Sequence, residues 1–221
     1  MAENQIVNVC FHGIGTPDRE LEPGEDKYWI STELFHEILD EVKTWPSVRI
    51  SFDDGNASDA EIGLPGLVER NLTGDFFMVA DRIDKRGSLS AHQLLQLRDA
   101  GMRIGSHGMH HRSWRGLDPQ TRAAEFVTAR ERIASVTGTA VDEVACPLGA
   151  YDRHVLGALR AQGYRRVYTS DRRVARTSSW LQPRYSICQG DSAEKLRAEV
   201  FHSAPTHRLR NSAAAVVKRW R

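Results

Sequence analysis

Short apolar, strand-like runs alternate with amphipathic helical stretches from one end of this chain to the other, and that alternation restricts its fold more than any other feature. Strands are expected near residues 6–11, 48–52, 75–79, 103–105, 143–146, 166–169 and 184–188. Helices are expected near 32–43, 62–70, 91–100, 119–137, 152–162 and 192–202. In the first of these, Leu34, Phe35, Ile38, Leu39 and Val42 recur at the spacing of one buried helical face. Alternating βα units imply a parallel sheet, either doubly wound or closed into a barrel. In both arrangements functional residues collect beyond the C-terminal ends of the strands.

Composition narrows the class. With 221 residues, 40% of them hydrophobic, and no internal repeat or low-complexity linker, the chain is expected to form a single domain over 1–221. Its core is expected over about 5–190, followed by a solvated basic tail at about 203–221. A net charge of +1 gives no overall field to attract nucleic acid. No run approaches the roughly 18 apolar residues that span a bilayer, so no transmembrane segment is expected. The start, Met1-Ala2-Glu3-Asn4-Gln5, lacks the basic and apolar regions of a signal peptide. Cys10, Cys146 and Cys188 are dispersed in apolar segments, as buried thiols of a reducing compartment would be. A cytoplasmic location is the expectation.

Reactive residues do cluster after the expected strands. The first run ends in Phe11-His12-Gly13 and the second in Ser51-Phe52-Asp53-Asp54-Gly55. Two adjacent carboxylates at a glycine turn can face a cleft and take different tasks, one holding a cation and the other moving a proton. The fourth run leads into Ser106-His107-Gly108-Met109-His110-His111. His107 and His111 are spaced so that two imidazoles can reach one metal, with His110 leaving the choice of pair open. Asp54 as a third ligand would complete a two-histidine, one-carboxylate set that zinc, iron, cobalt and nickel all accept. The fifth run leads into Cys146-Pro147-Leu148-Gly149-Ala150-Tyr151, the sixth ends in Thr169-Ser170-Asp171, and Pro183-Arg184-Tyr185 opens the seventh. Trp29, Trp114 and Trp180 are either platforms for sugar rings or packing residues.

Together these motifs resemble the polysaccharide deacetylase family of metal-dependent carbohydrate esterases, over about residues 7–187. The resemblance implies a distorted, incomplete (β/α) barrel of about seven parallel strands. It assigns Asp53 as general base and Asp54, His107 and His111 as ligands of one divalent metal, with zinc first and cobalt, nickel or iron as alternatives. The third motif would wall the groove, with a backbone amide near Leu148 or Tyr151 holding the oxyanion. Trp114 joins Tyr151 and Leu148 as a substrate-binding candidate. Two departures stand out. Ala145 and Cys146 occupy the place of an arginine that braces the base, so Arg184 is expected to supply the guanidinium. A late Leu-x-His motif is missing, so His12 on the first strand is expected to serve as the acid, with Asp171 orienting it. The implied substrate is a carbohydrate bearing an N-acetyl group. Hydrolysis of a cyclic ureide or imide, and non-catalytic glycan binding, are the alternatives.

Overall fold

In the computed structural model, which describes residues 4–202 with Ala213, Val216, Val217, Lys218 and Trp220, the strands of the main sheet lie side by side in chain order. They are β1 (Gln5–Phe11), β2 (Val48–Phe52), β3 (Gly74–Met78), β4 (Arg103–Ser106), β5 (Glu143–Ala145) and β6 (Arg166–Thr169), each parallel to the next. The helices between them are α1 (Thr32–Val42), α2 (Leu64–Val68), α3 (Ala91–Asp99), a helical stretch over 119–137 that ends as α4 (Ala129–Thr137), and α5 (Arg153–Ala161); α6 (Ala193–His202) follows the sheet. Side-chain caps set several helix starts. Ser31 Oγ accepts the Leu34 N–H, Ser90 and Gln93 form a reciprocal capping box, and Asp152 accepts the N–H groups of His154 and Val155.

The last strand closes the ring by changing neighbours. Leu181–Pro183 (β7) runs parallel to β6, while Tyr185–Ser186 (β8), one residue later, runs parallel to β1. The sheet is thus a nearly closed, barrel-like array of mostly parallel strands in a mixed α/β single domain, as expected. A short antiparallel pairing of Ala175–Arg176 with the start of β1 is the exception.

The seventh strand was expected over 184–188, but it begins three residues earlier and breaks at Arg184. Proline normally argues against a central strand, because it has no N–H for the ladder. Pro183 is tolerated because it sits at the seam, where its carbonyl accepts a hydrogen bond from the Asn8 side chain at 3.0 Å. Asn8 Nδ2 also reaches Gln182 Oε1 at 3.0 Å, so a buried amide stitches the two edges where backbone pairing changes over.

Strand alternation separates two environments. Val7, Val9 and Phe11 of β1 pack with Phe35, Ile38, Leu39 and Val42 of α1 in the main apolar core, and Phe52 stacks on Phe76 at 4.5 Å. The intervening residues face the barrel interior, where Tyr168 of β6 meets Phe77 of β3 at 4.8 Å across the ring. Arg184 lies over both rings, at 5.4 and 5.7 Å. Among the described residues, no helix is long and apolar enough to cross a membrane. His207, Arg208, Arg210, Arg219 and Arg221 of the expected basic tail lie outside the described residues.

Candidate active site

Asp53 and Asp54 leave the end of β2 in different directions because the chain turns sharply between them. The Asp53 N–H still pairs with the Phe11 carbonyl at 3.0 Å, so this residue stays in register with β1. Asp54 then adopts a left-handed backbone, with φ of 75°, a conformation that aspartate tolerates better than most residues. Both carboxylates are buried.

Asp53 is gripped by the fully buried Arg184, whose Nη1 and Nη2 donate to its two oxygens at 2.6 and 2.5 Å. Arg184 Nη1 also reaches Ser51 Oγ at 3.1 Å. Burial alone would raise the Asp53 pKa, but the guanidinium, together with His107 and His12, outweighs it and holds the carboxyl below the ordinary carboxylate range. The expected substitution of Arg184 for an arginine of the third motif corresponds to this contact.

Asp54 faces the two histidines. Its Oδ1 lies 3.5 Å from His107 Nε2 and 3.2 Å from His111 Nε2, is buried, and has no hydrogen-bond partner among the described residues. Each imidazole is held from behind. His107 Nδ1 faces the Ala145 carbonyl at 2.9 Å, and His111 Nδ1 faces Glu22 Oε2 at 2.6 Å. Both Nε2 atoms are thereby aimed at Asp54, and second partners of this type fix the ring orientation of metal-binding histidines. Burial pushes His107 down to about 4, which favours the neutral form that a metal requires. The three ligand atoms lie within 4.8 Å of one another. An orphaned buried carboxylate oxygen between two oriented imidazole nitrogens fits a divalent cation. His110 is exposed and faces Asp81 at 3.6 Å, so the candidate group around Asp54 is formed by His107 and His111.

The turn that carries the histidines depends on Glu125, a fully buried residue of the 119–137 helical stretch. Its carboxylate accepts the Met109 N–H at 2.7 Å and the Trp114 indole N–H at 3.2 Å. Gly108 passes directly over this carboxylate with φ of 83°, and a Cβ there would collide with Glu125 and crowd Trp114.

His12 emerges from β1 on the same rim. It stacks on Tyr28 with ring centroids 4.7 Å apart, and a ligand nitrogen of its ring lies within 4.8 Å of ligand atoms of Asp53 and Cys10. Its Nδ1 is buried with no hydrogen-bond partner among the described residues, and Asp171 does not supply one. Asp171 Oδ2 accepts the hydroxyls of Tyr151 and Thr169, both at 2.7 Å, and Oδ1 accepts Lys218 Nζ at 2.9 Å. The expectation that Asp171 orients His12 is therefore corrected: its oxygens are committed to β6, the third-motif turn and the C-terminal segment.

Two substrate-binding expectations also change. Trp114 is only 1% exposed and packs edge-on against Phe126 at 4.9 Å, so it is a core residue that supports the histidine turn. The Tyr151 ring is buried as well and presents its hydroxyl to Asp171, which leaves only its backbone for the groove. Leu148 is the exposed member, at 66%, on a turn where its own φ is 58°. Trp29 is buried against Gly13, and Trp180 donates its indole N–H to the Tyr164 carbonyl at 2.7 Å.

Glu22, Glu125 and Lys218 were not anticipated as parts of this neighbourhood. Glu22 lies in a loop with four other acids, Asp18, Glu20, Glu25 and Asp26, and nothing in the sequence singles it out. In the structure Arg82 pairs with it, which fixes the carboxylate behind His111.

Comparison with known proteins agrees with this architecture. The family model described as polysaccharide deacetylase matches residues 41–167, and the chain belongs to that family. YxkH of Bacillus subtilis (strain 168), a relative named for polysaccharide deacetylation, is 25% identical over 124 residues, which are 56% of this chain and 44% of that protein. The aligned region thus spans less than half of that relative. The solved structure of Streptococcus pyogenes deacetylase PplD in complex with acetate superposes with a TM-score of 0.75 at 16% identity, covering 89% of this chain and 98% of the other. A de-N-acetylase from Aggregatibacter actinomycetemcomitans superposes with a TM-score of 0.74 at 14% identity, covering 89% and 100%. At such identities the structures speak for a shared fold. Asp53, Asp54, His107 and His111 lie inside the family match, whereas His12 and Arg184 lie outside it.

Proposed function

We propose that this protein is a metal-dependent hydrolase that removes the acetyl group from an N-acetylated amino sugar, within a polysaccharide or an intermediate of its synthesis. The observation that carries the reading is the division of labour between adjacent aspartates. Asp54 faces two oriented histidines with an oxygen that no hydrogen bond claims among the described residues. Asp53, although 3.8 Å from His107 Nε2, has both oxygens bonded to Arg184 and lies beside His12.

Asp54, His107 and His111 would hold the cation, with zinc first and cobalt, nickel or iron as alternatives. When bound, such a cation polarises an acyl oxygen and brings the pKa of water toward roughly 7. Asp53, kept ionised by Arg184, accepts the proton of the attacking water. A backbone N–H at the Leu148–Tyr151 turn donates to the oxyanion, a contact typically worth about 3 kcal/mol. His12 gives a proton to the sugar nitrogen as the C–N bond breaks, and acetate and the free amine depart. General acid–base assistance of this kind contributes about 10²–10⁴-fold.

Acetate release from N-acetyl sugars, sugar nucleotides and oligomers, run beside ring opening of small ureides, tests the reading. Acetate from at least one sugar class is expected, with Asp53→Asn retaining its metal by elemental analysis and losing most turnover. Ring opening without acetate release would move the chain to the ureide class. Stoichiometric metal with neither reaction would make it a glycan-binding member.

A further inference from the structure

A second set of donors stands beside the first and has no part in holding the Asp54-centred cation. Cys10 and His12 are two residues apart on β1 and its end, so their side chains share one face of the strand. Asp53 is tied to the same level by its main-chain bond to Phe11. A sulfur, an imidazole nitrogen and a carboxylate oxygen from these residues lie within 4.8 Å of one another, the same closeness found for Asp54, His107 and His111. Cys10 is fully buried and Asp53 is 1% exposed. The buried Nδ1 of His12 has no hydrogen-bond partner among the described residues.

We propose that Cys10, His12 and Asp53 form a second metal site, selective for a thiophilic divalent ion, whose occupation blocks the reaction. Thiolate, imidazole and carboxylate together suit zinc or cadmium and poorly suit magnesium or calcium. Arg184 does not close the site, since each Asp53 oxygen that accepts one guanidinium hydrogen bond keeps a further lone pair. Cys10 binds as the thiolate and releases its proton to solvent, and its negative charge offsets the guanidinium beside the incoming cation. The ion would hold Asp53 and His12 at once. The blocking consequence rests on the base and acid roles given above; the binding itself does not.

Cadmium titration of the full chain tests the proposal. A Cys188→Ser background removes the partly exposed thiol, leaving Cys10 and the buried Cys146. Elemental analysis should count a second equivalent of cadmium, accompanied by the ultraviolet thiolate-to-metal absorption band. Cys10→Ser should remove both the band and that equivalent, while His107→Ala should lose the first ion and keep the band. Excess zinc should inhibit deacetylation, with the inhibitory concentration rising at least about tenfold in Cys10→Ser, because even loss of a supporting residue costs a metal site that much. Should Cys10→Ser fold poorly, His12→Gln should lower affinity for the second ion while leaving the thiolate band attainable at higher cadmium. A single equivalent at saturation, or a band that survives Cys10→Ser, overturns the site. A second equivalent with the expected band, in a protein that deacetylates nothing, would overturn the proposed function and leave the site standing.

Discussion

The guanidinium of Arg184 spans both carboxylate oxygens of Asp53 in a pair that is almost completely shielded from water. This contact joins the end of β2 to the break in the closing strand. It also distinguishes Asp53 from its neighbour: among the described residues Asp54 pairs with no arginine and faces His107 and His111, whereas Asp53 is bonded to Arg184 and approaches His107 at 3.8 Å.

Arg184→Lys should weaken the pair without removing its charge, since one ammonium cannot match both oxygens. The Asp53 pKa should rise toward ordinary values, and the acid limb of kcat/KM should move to higher pH. Arg184→Ala, which strands a buried carboxylate, should cost about 3–5 kcal/mol in urea unfolding. An unshifted pH profile in Arg184→Lys would disconnect the pair from the chemistry.

Glu22→Gln should lower affinity for the cation about 10–100-fold, because Glu22 fixes the ring of His111. Competition against a chromogenic chelator measures this directly. Equal affinity in variant and parent would make the contact incidental.

His12→Ala should slow hydrolysis of an unactivated N-acetyl sugar about 10²–10⁴-fold. An aryl acetate, whose leaving group departs without a proton, should be affected far less. Equal losses on both substrates would point to positioning instead of proton donation.

The metal-free protein should lose stability on mild acidification. Burial places His107 at about 4 in the folded chain, against about 6.5 when unfolded. Between these values the unfolded chain binds more protons, so stability is complete above the upper value and falls as pH drops through the window. The loss should reach up to about 3 kcal/mol, and urea unfolding across the window should show it. His107→Gln should flatten the dependence, and an unchanged slope would assign it to other groups.

The alternation of the chain pointed to a parallel βα sheet because each strand and helix carries its own periodicity, while the choice of a barrel came from the family resemblance. The candidate metal set could be named because both of its motifs are local. The remainder depended on distance. Arg184 lies 131 positions from Asp53 and could be chosen only by the absence of an arginine near Ala145. The last strand starts earlier than expected because Pro183, which would normally argue against a central strand, is tolerated at a seam that needs no N–H there. Trp114 and Asp171 were misassigned because residue type says nothing about which partner arrives first. Glu125 claims the indole, while Tyr151, Thr169 and Lys218 claim the carboxylate.

The change of neighbours in the closing strand has a consequence for when the protein becomes competent. A chain emerging from the ribosome presents Asp53, Asp54, His107 and His111 before residue 184 exists, so the buried base at first lacks its counter-charge. The segment that seals the sheet onto β1 is the one that delivers Arg184. On the proposed chemistry, hydrolytic activity would therefore switch on as the final act of assembly, and an unfinished barrel would be an inert one.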